Sequence, residues 1–444
     1  MKKISRLFAA TAVAALAIGG LAACSSSDDN GGNDAAGSVY YLNFKPESED
    51  AWKKVAQAYT DETGVQVKIV TAASGTYEQT LKSELATKEA PTMFNLNGPV
   101  GLANWQDYSA DLTDTDFTKA LSNPDLALKG ADDKVYGVPF ATEGYGIIYN
   151  DAIMQKYFAL DGAKATAIAD INNFDALKAV AEDMQARKAE LGIDGAFAAT
   201  SLASGEDWRW QTHLANYPIF YEFRDAGVSD ATEIKGTYFD QFQQIFDLYL
   251  DNSTVSREAT PSRTVTDSMA DFALGKAAFV QNGNWAWSQI SEVSGNTVKE
   301  SDIHFLPIYV GVPGEEKAGI AVGTENFLTV NAKASEADQK ATVDFINWLF
   351  TKDAGTKMVS EDLGFIAPFT AFQDLAPADP LGKEVVEYMN NADLYPVTWD
   401  FVVFPSQDFK DQLGQHMQQY AIGKQEWSAV KDYFISQWSA EKGK

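Results

Sequence analysis

From Val39 onward the spacing of apolar and polar positions changes period several times, and each change predicts an element. Val39-Tyr40-Tyr41-Leu42-Asn43-Phe44 is a short apolar run with the length of a buried strand. Trp52, Val55, Ala56 and Tyr59 then recur at helical spacing, and Gly64 stands where that helix would be capped. Val65, Val67 and Ile69 alternate with Gln66 and Lys68 as a second strand, Leu81 and Leu85 mark a second helix, and Met93-Phe94-Asn95-Leu96 reads as a third strand. This β-α-β-α-β order predicts a parallel sheet with helices on both faces. Ligands of such sheets bind beyond the carboxyl ends of the strands. Those ends are Asn43-Phe44-Lys45-Pro46-Glu47, Thr71-Ala72-Ala73-Ser74-Gly75-Thr76-Tyr77 and Asn95-Leu96-Asn97-Gly98, all polar and supplied with Gly or Pro.

Farther along, Val135 to Asn150 reads as one extended segment in which Gly144 and Gly146 adjoin Glu143. A helix through Phe174, Leu177, Val180, Ala181 and Met184 closes at Gly192, and another carries Phe239, Phe242, Phe246 and Tyr249. Ser335 followed by Asp338 forms a weak capping box ahead of Val343, Ile346, Trp348 and Phe350. The chain ends in two helices, the last with Trp427, Val430, Phe434 and Trp438 on one face.

The length of 444 residues exceeds what one core usually supports, so two lobes are expected. Lys2, Lys3 and Arg6 precede an apolar stretch from Leu7 to Ala23, the layout of a secretory leader. Loss of those three cations with residues 1–23 would take the formal charge from −27 to −30. Such a surface repels nucleic acid and anionic headgroups, and neither is expected as a partner. Cys24 is the single cysteine, which excludes internal disulfides, and the three histidines (His213, His304, His416) are too dispersed to ligate a transition metal. Asp111, Asp114 and Asp116 lack the spacing and terminal Glu of a calcium loop. No cofactor or metal is expected. After Cys24 the run Ser25-Ser26-Ser27-Asp28-Asp29-Asn30-Gly31-Gly32-Asn33 has the composition of a flexible tether.

Leu21-Ala22-Ala23-Cys24 resembles a bacterial lipobox, whose cysteine receives a diacylglyceryl group. Together with Val138-Pro139-Phe140-Ala141-Thr142-Glu143, Ile147-Ile148-Tyr149-Asn150 and Gln281-Asn282-Gly283-Asn284-Trp285-Ala286-Trp287, it gives a chain similar to the sugar-binding lipoproteins of bacterial ABC importers, the family 1 solute-binding proteins of the maltose-binding type. The likeness runs from Val39 to Trp438. It implies an α/β, two-lobed periplasmic-binding-protein type II fold, each lobe a mixed, mainly parallel sheet flanked by helices. The expected hinge crossings lie near Ala141–Tyr145, Val312–Ile320 and Val359–Phe365. The implied segments are leader 1–23, tether 24–37, first lobe 38–142 and 315–358, and second lobe 143–314 and 359–444. The implied role is non-enzymatic. A monomer, lipid-anchored through Cys24 on the extracellular face of a Gram-positive cell membrane, captures an oligosaccharide, an α-glucoside foremost, and delivers it to an ABC permease. The competing readings are a secreted glycoside hydrolase using two of the many carboxylates, and a sugar sensor or adhesin without transport.

A sugar presents an apolar C–H face and an edge of hydroxyls, so its site needs flat aromatic platforms and charged hydrogen-bonding groups. Trp285 and Trp287, two residues apart at the start of a helix, point to different sides, and the resemblance selects Trp285 for the cleft. Asp207-Trp208-Arg209-Trp210 supplies an acid beside two candidate platforms, with the choice between Trp208 and Trp210 open. Glu143 matches the hinge-strand glutamate of the family. Lys45, Glu47 and Asn97 stand at the first-lobe strand ends, Trp399 resembles a late platform, and Glu325 either faces the cleft or caps a turn. His213, beside Trp210, is read as a structural group.

Overall fold

The structure, a computed structural model, describes residues 37–443 except Ser74 and Thr200, so the leader, Cys24 and almost all of the tether lie outside the described residues. In chain order the strands are β1 (Val39–Asn43), β2 (Val67–Thr71), β3 (Met93–Asn97), β4 (Leu128–Lys129), β5 (Val135–Pro139), β6 (Glu143–Asn150), β7 (Gly195–Phe197), β8 (Ala277–Gly283), β9 (Ile303–Leu306), β10 (Ala318–Gly323), β11 (Asn326–Val330) and β12 (Tyr395–Val397). The opening β-α-β-α-β is present: a helix over Glu49–Thr63 joins β1 to β2, and a helix over Tyr77–Leu85 joins β2 to β3. Gly64 ends the first of these in a left-handed conformation (φ 76°), its N–H donating to Thr60 O at 2.8 Å. Val65 stays outside β2, which begins at Val67.

Two sheets organise the chain. The first has the order β2-β1-β3-β11-β5-β4; the second runs β12-β10-β6-β8-β7, with β9 also paired to β6. Both are mixed. Only β2-β1-β3, β10-β12 and β7-β8 pair in parallel; the remaining pairings are antiparallel. The expectation of mainly parallel sheets therefore fails at the sheet centres. Strands that enter and leave a lobe through the hinge, β5 with β11 and β6 with β10, must run in opposite senses.

The segment 135–150 is two strands, with Phe140-Ala141-Thr142 carrying the chain from the first sheet to the second. The other two passages come later than expected. β10 lies in the second sheet and β11 in the first, so the chain crosses at Thr324-Glu325, beyond the Val312–Ile320 expected and the 314/315 boundary. Val359, Phe365, Phe369 and Phe372 bury in the first lobe against Trp52, Phe345 and Phe350, while Ile366 between them pairs with Thr142 of the first passage, its O accepting from Thr142 N–H at 2.7 Å, and packs on the second-lobe cluster. The chain reaches the second lobe again only with the helix Pro380–Asn390, whose Leu381 and Val385 pack beside Phe305 and Ile320. The short loop between the oppositely directed strands β10 and β11 leaves no pattern in hydrophobicity, so the sequence does not mark this passage.

Each sheet is covered on both faces. In β1, Val39 and Tyr41 join one core with Trp52, Val55 and Tyr59, while Leu42 joins the other with Leu81, Leu85 and Phe94, as strand alternation requires. The connection from β9 to β10 is pinned from within. The buried Glu315 carboxylate accepts backbone N–H bonds from Phe174 (2.7 Å), Val310 (2.7 Å) and Gly311 (2.8 Å), with no cation paired to it among the described residues. Glu315→Gln replaces one acceptor oxygen by an NH2 that meets backbone donors. The expected loss is about 1–3 kcal/mol, measured as a lower urea midpoint; an unchanged midpoint would show that the loop holds without this anchor.

Candidate functional site

The end of β1 and the start of β6 meet where the two lobes face each other. Lys45, two residues past β1, places its Nζ 2.6 Å from Glu143 Oε1 and 3.5 Å from Glu47 Oε1. The Lys45 and Glu143 side chains are only 8% and 9% exposed. Burial raises the Glu143 pKa above the usual carboxylate value, opposed by Lys45. Burial also works against the charge of Lys45, but Glu143 and Glu47 hold its pKa above that of an ordinary lysine. A first-lobe cation thus ties directly to the first residue of the hinge strand.

Around this pair the second lobe brings an aromatic wall. Asn284 fastens the turn before Trp285 to β6, its Oδ1 accepting from Gly144 N–H at 3.0 Å and its own N–H donating to Gly144 O at 2.9 Å. The Trp285 ring lies 5.4 Å from Lys45 Nζ and 5.8 Å from the Trp208 ring. It is seated on bare backbone: a Cβ on Gly283 would fall 2.1 Å from a Trp285 ring carbon. Gly323 does the same for Trp399, whose Cγ would be 2.6 Å from an added Cβ. Trp287 goes to the opposite side of its short helix and packs beside the cluster of Met269, Phe272 and Ile290.

Arg209–Leu214 is a π-helical turn, with Ala215 N–H donating to Trp210 O at 3.0 Å. The two candidate platforms part here. Trp208 is half-buried and faces Trp285, whereas Trp210 is buried against Phe246 and Tyr249, its Nε1 donating to Ser201 O at 2.8 Å. The same turn delivers Arg209 and His213. His213, set aside in the sequence, stacks on Tyr145 at 4.1 Å and borders Trp208, Trp285 and Trp399. Burial, with Arg209, Lys410 and Lys45 adding to it, pushes its pKa well below the usual 6.5, so the ring is neutral.

The remaining expected residues divide. Glu325, in the second passage, lies 3.5 Å from the buried Lys410 Nζ. Asn97 is half-buried at the end of β3, opposite Asn326 of β11. Trp399 is buried against Tyr145 and Phe401. Asp207 turns away from Trp285: its Oδ2 would lie 2.0 Å from a Cβ on Gly414, so it faces the helix Gln407–Ala421, where burial raises its pKa to about 6.

Among the described residues the buried cations are Lys45, Arg209 and Lys410, and all three act on His213. Of these, the sequence pattern pointed only to Lys45. Neither Arg209, between two tryptophans, nor Lys410 stands in a pattern that singles it out. Four buried polar atoms here have no hydrogen-bond partner among the described residues: Trp285 Nε1, Trp399 Nε1, His213 Nδ1 and Thr324 Oγ1. Flat rings beside unpaired donors and paired charges suit a guest with an apolar face and a hydroxyl edge. No group of His, Cys, Asp and Glu able to hold a metal occurs among the described residues, and no helix there is long and apolar enough to cross a membrane. The lobes touch beyond this wall as well. The helix Gly98–Trp105 packs on Asp400–Val403, and a Cβ on Gly75 would come within 2.7 Å of Gly205 O.

A family model described as "Bacterial extracellular solute-binding protein" matches residues 54–387. The melibiose/raffinose/stachyose-binding protein MelE of Bacillus subtilis (strain 168) is 27% identical over 140 residues, a match that covers 31% of this chain and 32% of that relative. Among solved structures, a chitin oligosaccharide binding protein superposes with TM-score 0.69 at 20% identity, over 92% of this chain and 98% of its own. Maltose-bound MalE3 of T. maritima gives TM-score 0.67 at 17% identity, over 91% and 100%. Both structures share the two-lobed fold with this chain.

Lys45→Met leaves Glu143 buried without its cation. The expected cost at pH 7 is about 3–5 kcal/mol. Without Lys45 the folded-state pKa of Glu143 rises further above its unfolded value, so the folded protein binds the proton more readily. Stability should therefore recover as pH falls from 7 towards 5. Urea midpoints of wild type and variant at the two pH values check this; an equal gap at both would contradict the assignment.

Proposed function

The chain belongs to the bacterial extracellular solute-binding proteins, and we propose that its solute is an oligosaccharide gripped between the two lobes and handed to an ABC permease. The observation that carries this reading is the half-buried Trp208–Trp285 pair beside the Lys45–Glu143 bridge, with the Trp285 indole N–H left unpaired. A sugar ring laid on the indoles would bury its C–H face, while its hydroxyls would meet Lys45, Glu143 and the free N–H of Trp285. Glu47, Asn97, Glu325 and Trp399 supply further contacts in the same reading, Asn97 from the first lobe and Glu325 from the second passage. Asp207 and Trp210 support the wall from behind.

Closure follows from the same contacts. A ligand touching both lobes gains its full set of bonds only when they shut, and so stabilises the shut state by that difference. The family is one of binding proteins, which supports a role without catalysis. In this reading residues 1–23 are removed and Cys24 carries the lipid, keeping the protein on the extracellular face beside its permease. Two or more acyl chains would suffice for stable retention.

An α-glucoside is the first ligand to test, beside the raffinose and stachyose for which a relative is named. A calorimetric titration against a neutral oligosaccharide panel should give saturable binding without product formation; steady release of shorter sugars would instead make the protein a hydrolase. Trp285→Ala should weaken the bound sugar at least about 100-fold, the scale of an aromatic anchor, while its thermal midpoint without ligand stays near wild type. Retained affinity in that variant would remove the platform.

A further inference from the structure

We propose that Arg209 reads the sugar, its guanidinium donating in parallel to two adjacent hydroxyl groups of the ring that lies by Trp208. The inference rests on the oligosaccharide reading above and names the residue that sets specificity within it.

Arg209 is 1% exposed, yet no carboxylate stands within 4.0 Å of it among the described residues. The other two buried cations are answered: Lys45 by Glu143 and Glu47, Lys410 by Glu325. Arg209 Nε is used, donating to Asn282 Oδ1 at 3.1 Å, and Asn282 is itself held, its Oδ1 also accepting from Gly283 N–H at 3.0 Å. The guanidinium carbon stacks 3.9 Å from the Trp208 ring centroid. One edge and one face of the planar group are thus fixed, and the two terminal nitrogens carry no hydrogen bond among the described residues. Burial pulls the guanidinium pKa down to about 9, while Glu47 and Glu206 hold it up from a distance.

A buried cation with idle donors is unfavourable unless something accepts them. The rigid fork fits two oxygens side by side, which is the spacing of vicinal hydroxyls on a sugar ring. A carboxylate would fit the fork equally well, but Glu47 and Glu206 already place negative charge around it. A neutral diol adds none. Trp208 couples the two functions: Arg209 covers part of its ring and fixes its tilt against Trp285, so the platform and the fork are set together.

Calorimetry on wild type, R209K and R209M tests this, using an oligosaccharide that wild type binds and its single-deoxy derivatives. Removal of the fork should weaken the parent sugar about 10- to 100-fold in R209M. R209K should lose nearly as much, since an ammonium cannot make the parallel pair. One or two deoxy sugars should bind wild type poorly, yet show no added penalty in R209M. Unchanged affinity in R209M, or deoxy penalties that persist there in full, would overturn the assignment in favour of a purely structural arginine. Tighter wild-type binding of a uronate-bearing analogue than of its neutral parent would overturn the neutral diol. Failure of wild type to bind any sugar would instead remove the oligosaccharide reading, and this inference with it. Thermal midpoints without ligand separate misfolding from lost recognition, and R209K keeps the charge if R209M does not fold.

Discussion

The contact of Lys45 with Glu143 is a buried charge pair whose halves belong to different parts of the molecule, one on a first-lobe strand end and the other on the first residue of β6. A pair shielded from water to this degree is stable only with good geometry on both sides. The rest of the cleft is arranged to supply it. β6 is clamped by β10, β8 and β9, which fixes where the carboxylate stands. Asn43 anchors the other side, its Oδ1 accepting from Lys45 N–H at 3.1 Å and its Nδ2 donating to Lys45 O at 2.8 Å. The same hinge strands also carry Gly323 and, through Asn284, the turn that sets Trp285. Moving the ion pair would therefore move the aromatic wall.

Much of this was legible in the sequence because it is periodic. Strand alternation and helical spacing place β1 to β3 and their helices, and the helix start in the Gly-Asn-Trp-Ala-Trp run sends Trp285 and Trp287 to different sides, the choice of Trp285 coming from the family resemblance. The hinge was less legible. A passage such as Thr324-Glu325 is two residues between strands of the same apolar character, and no change of period marks it. The opposed directions of β10 and β11 follow from that crossing, not from any local preference. Asp207 and Trp210 were drawn into the site because they flank Trp208. Asp207 and Trp208 stand in the turn ahead of the π-helix and Trp210 stands inside it, and the change of winding sends the three side chains to different places. Arg209 and Lys410 were missed for a general reason: lone cations usually lie in water, and only tertiary contacts reveal a buried one.

A formal charge of −27 makes the outside strongly acidic, while the buried lysines and arginine among the described residues gather at one cleft. Each of those lysines is matched by carboxylates at the hinge. The local sum is near balance, so the cleft does not draw anions by a positive field. It offers instead fixed dipoles and charged donors at set positions, which in the proposed reading discriminate among neutral guests by the geometry of their oxygens.

In the proposed reading the unpaired groups give such a cleft a reason to open when empty. With the lobes together, the indole N–H of Trp285 and Trp399, Nδ1 of His213 and the hydroxyl of Thr324 are out of contact with any protein acceptor or donor among the described residues. Each such group costs about 1–3 kcal/mol when shut away from water without a partner. Parting the lobes would return them to solvent, while a guest bearing hydroxyls would answer them in place. The same penalty thus disfavours closure on nothing and closure on an apolar molecule of similar shape. If this cleft is the site proposed, selectivity for an oxygen-rich guest and coupling of binding to closure arise from one set of atoms, and neither needs a separate mechanism.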